Sequence, residues 1–195
     1  MKRVALGLYF SATQSDHVLY ESRLELARLL LADFDTAVDG IVAKPFLVVA
    51  NVDGKQRRHI PDYLLITQDG PVVVDVKPLR HLAKPVVART FAWTRVAVES
   101  RGWRYEVCSE PPAIRLANVR FLAGYRIGGR FEGALLDRMP SPRLVGTTVG
   151  EAIRSQACWP EPVVRAALMH LLRRQEFTVD LERPLSRGHV LGRAV

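Results

Sequence analysis

Two short stretches carry the residues best suited to chemistry: Ile60-Pro61-Asp62-Tyr63 and Val73-Val74-Asp75-Val76-Lys77. The second is a valine-rich run, the composition of a strand buried on both faces, yet it holds a carboxylate and an ammonium two residues apart. Side chains alternate along a strand, so Asp75 and Lys77 share one face, roughly 7 Å apart. If Asp69-Gly70 forms a two-residue hairpin turn, Gln68 pairs with Pro71, Asp62 lies opposite Lys77, and all three polar groups share that face. Burying such charges unpaired is costly. One way out is an ordinary half-buried ion-pair network. The other is metal-assisted hydrolysis of a phosphodiester, in which paired carboxylates bind Mg²⁺ or Mn²⁺ through oxygen and the lysine orients the attacking water or offsets charge on the phosphate. Lysine is scarce here, five residues against 23 arginines, so a lysine inside a valine block is less easily dismissed as compositional drift.

A metal site of this kind usually recruits a third carboxylate. Glu25 is the natural candidate, with Glu21 one turn earlier on the same helix face. Residues 18–34 show apolar positions at helical spacing (Tyr20, Leu24, Ala27, Leu31) and are expected to form one amphipathic helix. Three strands are expected after it. Phe46 to Val52 ends at Asp53-Gly54, His59 to Thr67 ends at Asp69-Gly70, and Val72 to Val76 follows. A helix over Leu82 to Arg101, closed by Gly102, and a strand over Trp103 to Cys108 complete an α/β sandwich on a small mixed sheet.

Glu110-Pro111-Pro112 marks the expected boundary, dividing the chain into 1–110 and 111–195. Beyond it, Ile114 to Tyr125 reads as helix or strand, and Arg126 to Pro142 is rich in Gly and Pro. Helices follow over Thr147 to Ala157 and from Pro160, then two short strands, Phe177 to Leu181 and His189 to Leu191. That order, helix, turn, helix and hairpin, is winged-helix-like.

Composition narrows the classes. The 195 residues carry a net charge of +8. Residues 1–110 hold 15 Lys or Arg against 13 Asp or Glu, and residues 111–195 hold 13 against 7, so the basic excess lies in the second region. An anionic partner such as nucleic acid fits that asymmetry. No apolar run approaches the ~20 residues of a membrane span. Met1-Lys2-Arg3 followed by Val4 to Phe10 lacks the length and cleavage site of a leader. Cys108 and Cys158 form no metal or disulfide framework. The expectation is a soluble cytoplasmic protein. A glycine-rich phosphate loop and a nucleophile elbow are both missing, which disfavours an ATPase or an acyl-transfer enzyme. Arg57, Arg58 and His59 lead into the Asp62 strand, either to touch a DNA backbone or as a solvated basic turn. Trp93 reads as core.

Taken together, the acidic helix, Pro61-Asp62 and Asp75-Val76-Lys77 resemble the PD-(D/E)xK nuclease superfamily, with its restriction-endonuclease-like core. More narrowly, the ordered set Ser22-Arg23-Leu24-Glu25, Val38, Lys44-Pro45-Phe46-Leu47, Pro61-Asp62-Tyr63-Leu64 and Val74-Asp75-Val76-Lys77-Pro78 is similar to TnsA-type endonuclease subunits of heteromeric transposases. The resemblance covers roughly residues 18–110. It implies that Glu25 (not Glu21), Asp62 and Asp75 bind metal, Mg²⁺ with Mn²⁺ able to substitute, and that Lys77 assists catalysis. Some members carry an amide where this chain has Asp75. It further implies an enzyme that nicks the 5′ strand of double-stranded DNA at transposon ends. Its partners would be a DDE-type, TnsB-like transposase and an AAA+, TnsC-like regulator.

Overall fold

The first helix begins at its cap and not at the start of its apolar pattern. In the computed structural model of the chain, strand β1 (Gly7–Ser11) pairs antiparallel with β2 (Asp16–Tyr20), and only then does helix α1 (Arg23–Phe34) start. Val18, Leu19 and Tyr20, expected in the helix, are therefore strand. Ser22 explains the switch: its backbone is extended and its side chain accepts from the Glu25 N–H, satisfying a donor that the first helical turn leaves free. Residues 6–127, 133–139 and 142–193 are described. Met1-Lys2-Arg3 and the middle of the Arg126 to Pro142 stretch lie outside them. Among the described residues, no helix is long and apolar enough to cross a membrane.

The chain forms two units, Met1–Pro111 and Pro112–Val195. In the first, α1 is followed by β3 (Val38–Ala43), β4 (Val48–Val52), β5 (Lys55–His59), β6 (Tyr63–Thr67) and β7 (Gly70–Val76). Helices α2 (Leu79–Leu82) and α3 (Pro85–Glu99) lead to β8 (Arg104–Cys108). A mixed four-stranded sheet runs β3-β6-β7-β8, with β7 and β8 parallel and the other pairs antiparallel. A parallel pair needs a crossover, and α2 and α3 supply it. This is an α/β fold of the restriction-endonuclease-like kind. Val72 to Val76 are all buried, as a strand covered on both faces requires. Val73 packs with Val98 of α3 and Tyr105 on one side; α1 lies on the other.

Three expectations shift in detail. The run from His59 to Thr67 is two strands, because Ile60-Pro61-Asp62 breaks it. Pro61 has no N–H to give to a ladder, and β5 pairs instead with β4 in a separate hairpin. That hairpin turns at Asp53-Gly54, whose φ values of 53° and 71° are the two positive ones a type I′ turn demands. The expected pairing of Gln68 with Pro71 gives way to Thr67 with Gly70 and Tyr63 with Val74. Asp69-Gly70 is not the central pair of the turn: Gln68 and Asp69 make it, and Gly70, at φ 100°, takes the left-handed place after it. The partner of each residue moves by two, an even step. Within the ladder every side chain therefore keeps its expected face, but Asp62 precedes β6 and its side chain goes to Lys44 and the Val76 N–H, while Asp75 goes to His59 and Tyr105.

The second unit holds α4 (Ala113–Ala123), α5 (Gly133–Arg138), α6 (Val149–Arg154) and α7 (Glu161–Arg173), then β9 (Phe177–Thr178) and β10 (Gly192–Arg193). Helix α6 starts in a full capping box between Thr148 and Glu151. Ile114 to Tyr125, open between helix and strand, resolves as helix α4. The terminal strands pair antiparallel but are only two residues long, because Asn118 captures the segment between them: its amide donates to the Leu181 and Arg183 carbonyls and its Oδ1 accepts from the Leu185 N–H. A backbone bonded to a side chain is withdrawn from a ladder.

Candidate active site

The end of β3, the entry to β6 and the N-terminus of α1 meet around one ammonium. Lys44, just past β3, places Nζ 2.6 Å from Asp62 Oδ1, 3.3 Å from Glu21 Oε2 and 3.9 Å from Glu25 Oε2. Its backbone is left-handed, φ 47°, a conformation a lysine adopts only when its surroundings insist. The Lys44 N–H donates to the Asp62 carbonyl, so the two residues hold each other by main chain and side chain alike. Burial by itself would lower the ammonium's pKa; the Asp62 hydrogen bond and the fields of Asp62 and Glu25 outweigh it and hold the pKa above the ordinary lysine value. The acids are equally fixed. Asp62 Oδ2 accepts from the Val76 N–H at 2.7 Å, tying it to the end of β7. Glu25 accepts from the Glu21 N–H and the Ser22 hydroxyl. Tyr63, next to Asp62, turns inward, and its hydroxyl donates to the Leu19 carbonyl. Burial, then the charges of Glu25 and Asp62, raise the Tyr63 pKa.

Asp75 belongs to a second set. His59 Nε2 lies 2.8 Å from both of its oxygens, and the Tyr105 hydroxyl donates to Oδ2. An ionised carboxylate only accepts, so this geometry puts a proton on Nε2. The rings of Phe91 and Trp93 meet His59 edge-on, each with its centroid 6.2 Å away. Burial first, and then the charge and hydrogen bond of Asp75, raise the Tyr105 pKa. The Asp75 side chain is 2% exposed, against 17% for Asp62. Lys77 follows β7; its backbone N–H donates to the Cys108 carbonyl, and the next turn is pinned by Glu110, which accepts from the Leu79 N–H. Among the described residues its ammonium has no ion pair.

Of the four residues singled out in the sequence, then, the structure joins Glu25 and Asp62 through Lys44, and holds Asp75 apart on His59 and Tyr105. No three acid, histidine or cysteine side chains among the described residues converge as a ready metal cage. Reading the sequence left Lys44, His59 and Tyr105 without roles at this site. Lys44 had a signal, the same scarcity of lysine that marks Lys77. For His59 and Tyr105 there was none, because the hairpin that carries His59 and the crossover that carries Tyr105 reach Asp75 only in three dimensions. Trp93 packs on His59, and Arg57 and Arg58 are exposed on β5.

A divalent cation suits the Lys44 cluster on chemical grounds. Its donors are carboxylate oxygens, the hard ligands Mg²⁺ and Mn²⁺ take, and they already surround a positive charge. No curated protein matches the chain. Residues 39–110 match the family described as TnsA-like endonuclease N terminal, a span that includes Lys44, Asp62, Asp75 and Lys77 and stops short of Glu25. Over residues 39–110, then, the first unit is similar to the N-terminal domain of TnsA-like endonucleases, and its mixed four-stranded sheet is consistent with that likeness.

Proposed function

We propose that the chain is the Mg²⁺-dependent, DNA-nicking subunit of a heteromeric transposase, acting in the cytoplasm on the 5′ strand at transposon ends. The observation that carries this reading is the convergence of Glu25 and Asp62 on a single cation at the strand ends of a TnsA-like domain. In it, Glu25 and Asp62 would hold the metal and Asp75, which His59 and Tyr105 hold in this structure, would be the third carboxylate. When bound, the ion supplies Lewis acidity at the scissile phosphate. Lys77, without an ion pair of its own, offers its ammonium to the phosphate oxygens or the attacking water. A TnsB-like DDE transposase would cut the other strand and join the ends, with a TnsC-like ATPase controlling both. Region 112–195, with the larger basic excess, would engage DNA phosphates or these partners, leaving sequence choice largely to them.

The test is strand-specific cleavage of a transposon-end duplex with Mg²⁺, by the chain alone, with the transposase encoded beside it, and with Lys77→Ala. Cutting of the 5′ strand that needs both the partner and Lys77 is the expected result. Cutting by the chain alone would instead describe a free-standing restriction- or repair-like nuclease. No Lys77-dependent cutting beside an active partner would leave a DNA-binding adaptor.

A further inference from the structure

We propose that Lys44 is the resident counter-cation of the acid cluster, occupying the place of the divalent ion and giving it up when metal binds. The inference rests on the metal-site reading above and adds a residue which that reading does not use. The geometry is specific. Three carboxylates, Glu21, Glu25 and Asp62, share one ammonium within 4 Å, and no other lysine or arginine forms an ion pair with any of them among the described residues. Without Lys44 the three acids would face one another uncompensated, a like-charge arrangement that a half-buried site resists. A small cation between Glu25 and Asp62 must sit about 2.0–2.6 Å from their oxygens, which overlaps the volume Nζ now takes at 2.6 Å from Asp62.

Lys44 also has somewhere to go. Glu21 lies at 3.3 Å and is more exposed than the other two acids, with 40% of its side chain open against 11% for Glu25 and 17% for Asp62. Displaced from Asp62, the ammonium keeps Glu21 and moves outward toward water, a short swing for a flexible four-carbon stem whose own exposure is already 28%. The backbone does not have to follow, since the bond from the Lys44 N–H to the Asp62 carbonyl is independent of the side chain. The result is an exchange of one cation for another. The acids stay assembled and paired before metal arrives, and the ion has to compete for its place, which sets a weaker affinity than the bare acids would give.

Mn²⁺ binding to the full chain in the absence of DNA tests this by calorimetry, for the natural sequence, Lys44→Met, Lys44→Arg and Glu25→Gln. Lys44→Met is expected to bind Mn²⁺ about tenfold tighter, since a like charge leaves the site, with Lys44→Arg near the natural affinity and Glu25→Gln weaker. Unchanged or weaker binding by Lys44→Met, with Glu25→Gln still impaired, overturns the role of Lys44 and leaves the metal site standing. Mn²⁺ binding that is missing or indifferent to Glu25→Gln overturns both. A second measurement needs no variant to fold. Five lysines make the side-chain Cε–Hε spectrum assignable, and the Lys44 resonance should shift on Mg²⁺ titration with the midpoint of metal binding. A Lys44 resonance that stays fixed at saturating Mg²⁺ also refutes the exchange.

Discussion

Asp62 stands just before β6 and Asp75 lies within β7, the strand that β6 pairs with, yet the two carboxylates live in different chemistries. Asp62 is partly open, its partners a lysine side chain and one backbone N–H, and two glutamates stand close by. Asp75 is closed in, its partners a histidine and a tyrosine that are themselves packed against Phe91, Trp93 and the core. The first environment keeps negative charge concentrated and exchangeable, the condition for admitting a cation. The second satisfies the charge within the fold, the condition for stability. Carboxylates of one motif therefore start from different environments, and what decides is which side chains other elements bring to each.

The contrast can be broken most sharply at Asp75. Asp75→Ala strands His59 and the Tyr105 hydroxyl in a buried space and should cost about 3–5 kcal/mol in a denaturant titration. A near-neutral result would mean that Asp75 is no more closed in than Asp62. Lys77→Ala is expected to lower nicking by about 10²–10³-fold in the partnered assay, while stability moves by about 0.5 kcal/mol or less, because no ion pair is lost. Tyr105→Phe removes one hydrogen bond to Asp75 and should destabilise by about 1–3 kcal/mol, readable as a lowered unfolding midpoint. Asp62→Asn should cost about 1 kcal/mol or less in stability, since its ion pair is partly solvated, yet it should abolish metal-dependent cleavage; a large stability loss with cleavage intact would invert the comparison.

A further effect is alkaline. Lys44, Tyr63 and Tyr105 each have a folded-state pKa raised above the ordinary value, so the native state holds these protons more tightly than the unfolded chain. Their contribution is fully present below the unfolded values and fades as pH rises through about 10 and beyond. Stability followed by thermal unfolding between pH 8 and 11 should fall over that upper range. In Tyr105→Phe the fall should be shallower.

Much of this site could be read from residue order. The pairing of Pro61-Asp62 with Asp75-Val76-Lys77, the acid on the first helix and the α/β alternation are local patterns, and each has a local physical cause. The two-residue error in the turn leaves the faces within the ladder unchanged, since strand faces repeat every two residues, but Asp62 lies before β6 and the structure holds it with Lys44, apart from Asp75 on His59 and Tyr105. Helical spacing predicts α1 five residues too early, because the pattern of Val18 to Tyr20 also suits a strand and only pairing with β1 chooses between them. His59 was expected at the head of the Asp62 strand; Pro61 instead separates it into a hairpin that folds back over α3.

The sequence by itself determined the residue types: a set of carboxylates, two lysines in a lysine-poor chain, a valine strand able to be buried on both faces, and turn residues that punctuate it. Only the tertiary structure decided which cation meets which acid. Lys44 reaches Glu21 and Glu25 across 23 and 19 positions of chain, and Tyr105 reaches Asp75 across 30. Side-chain periodicity acts over a few residues, whereas contacts of that span are set by how strands and helices stack to bury their apolar faces.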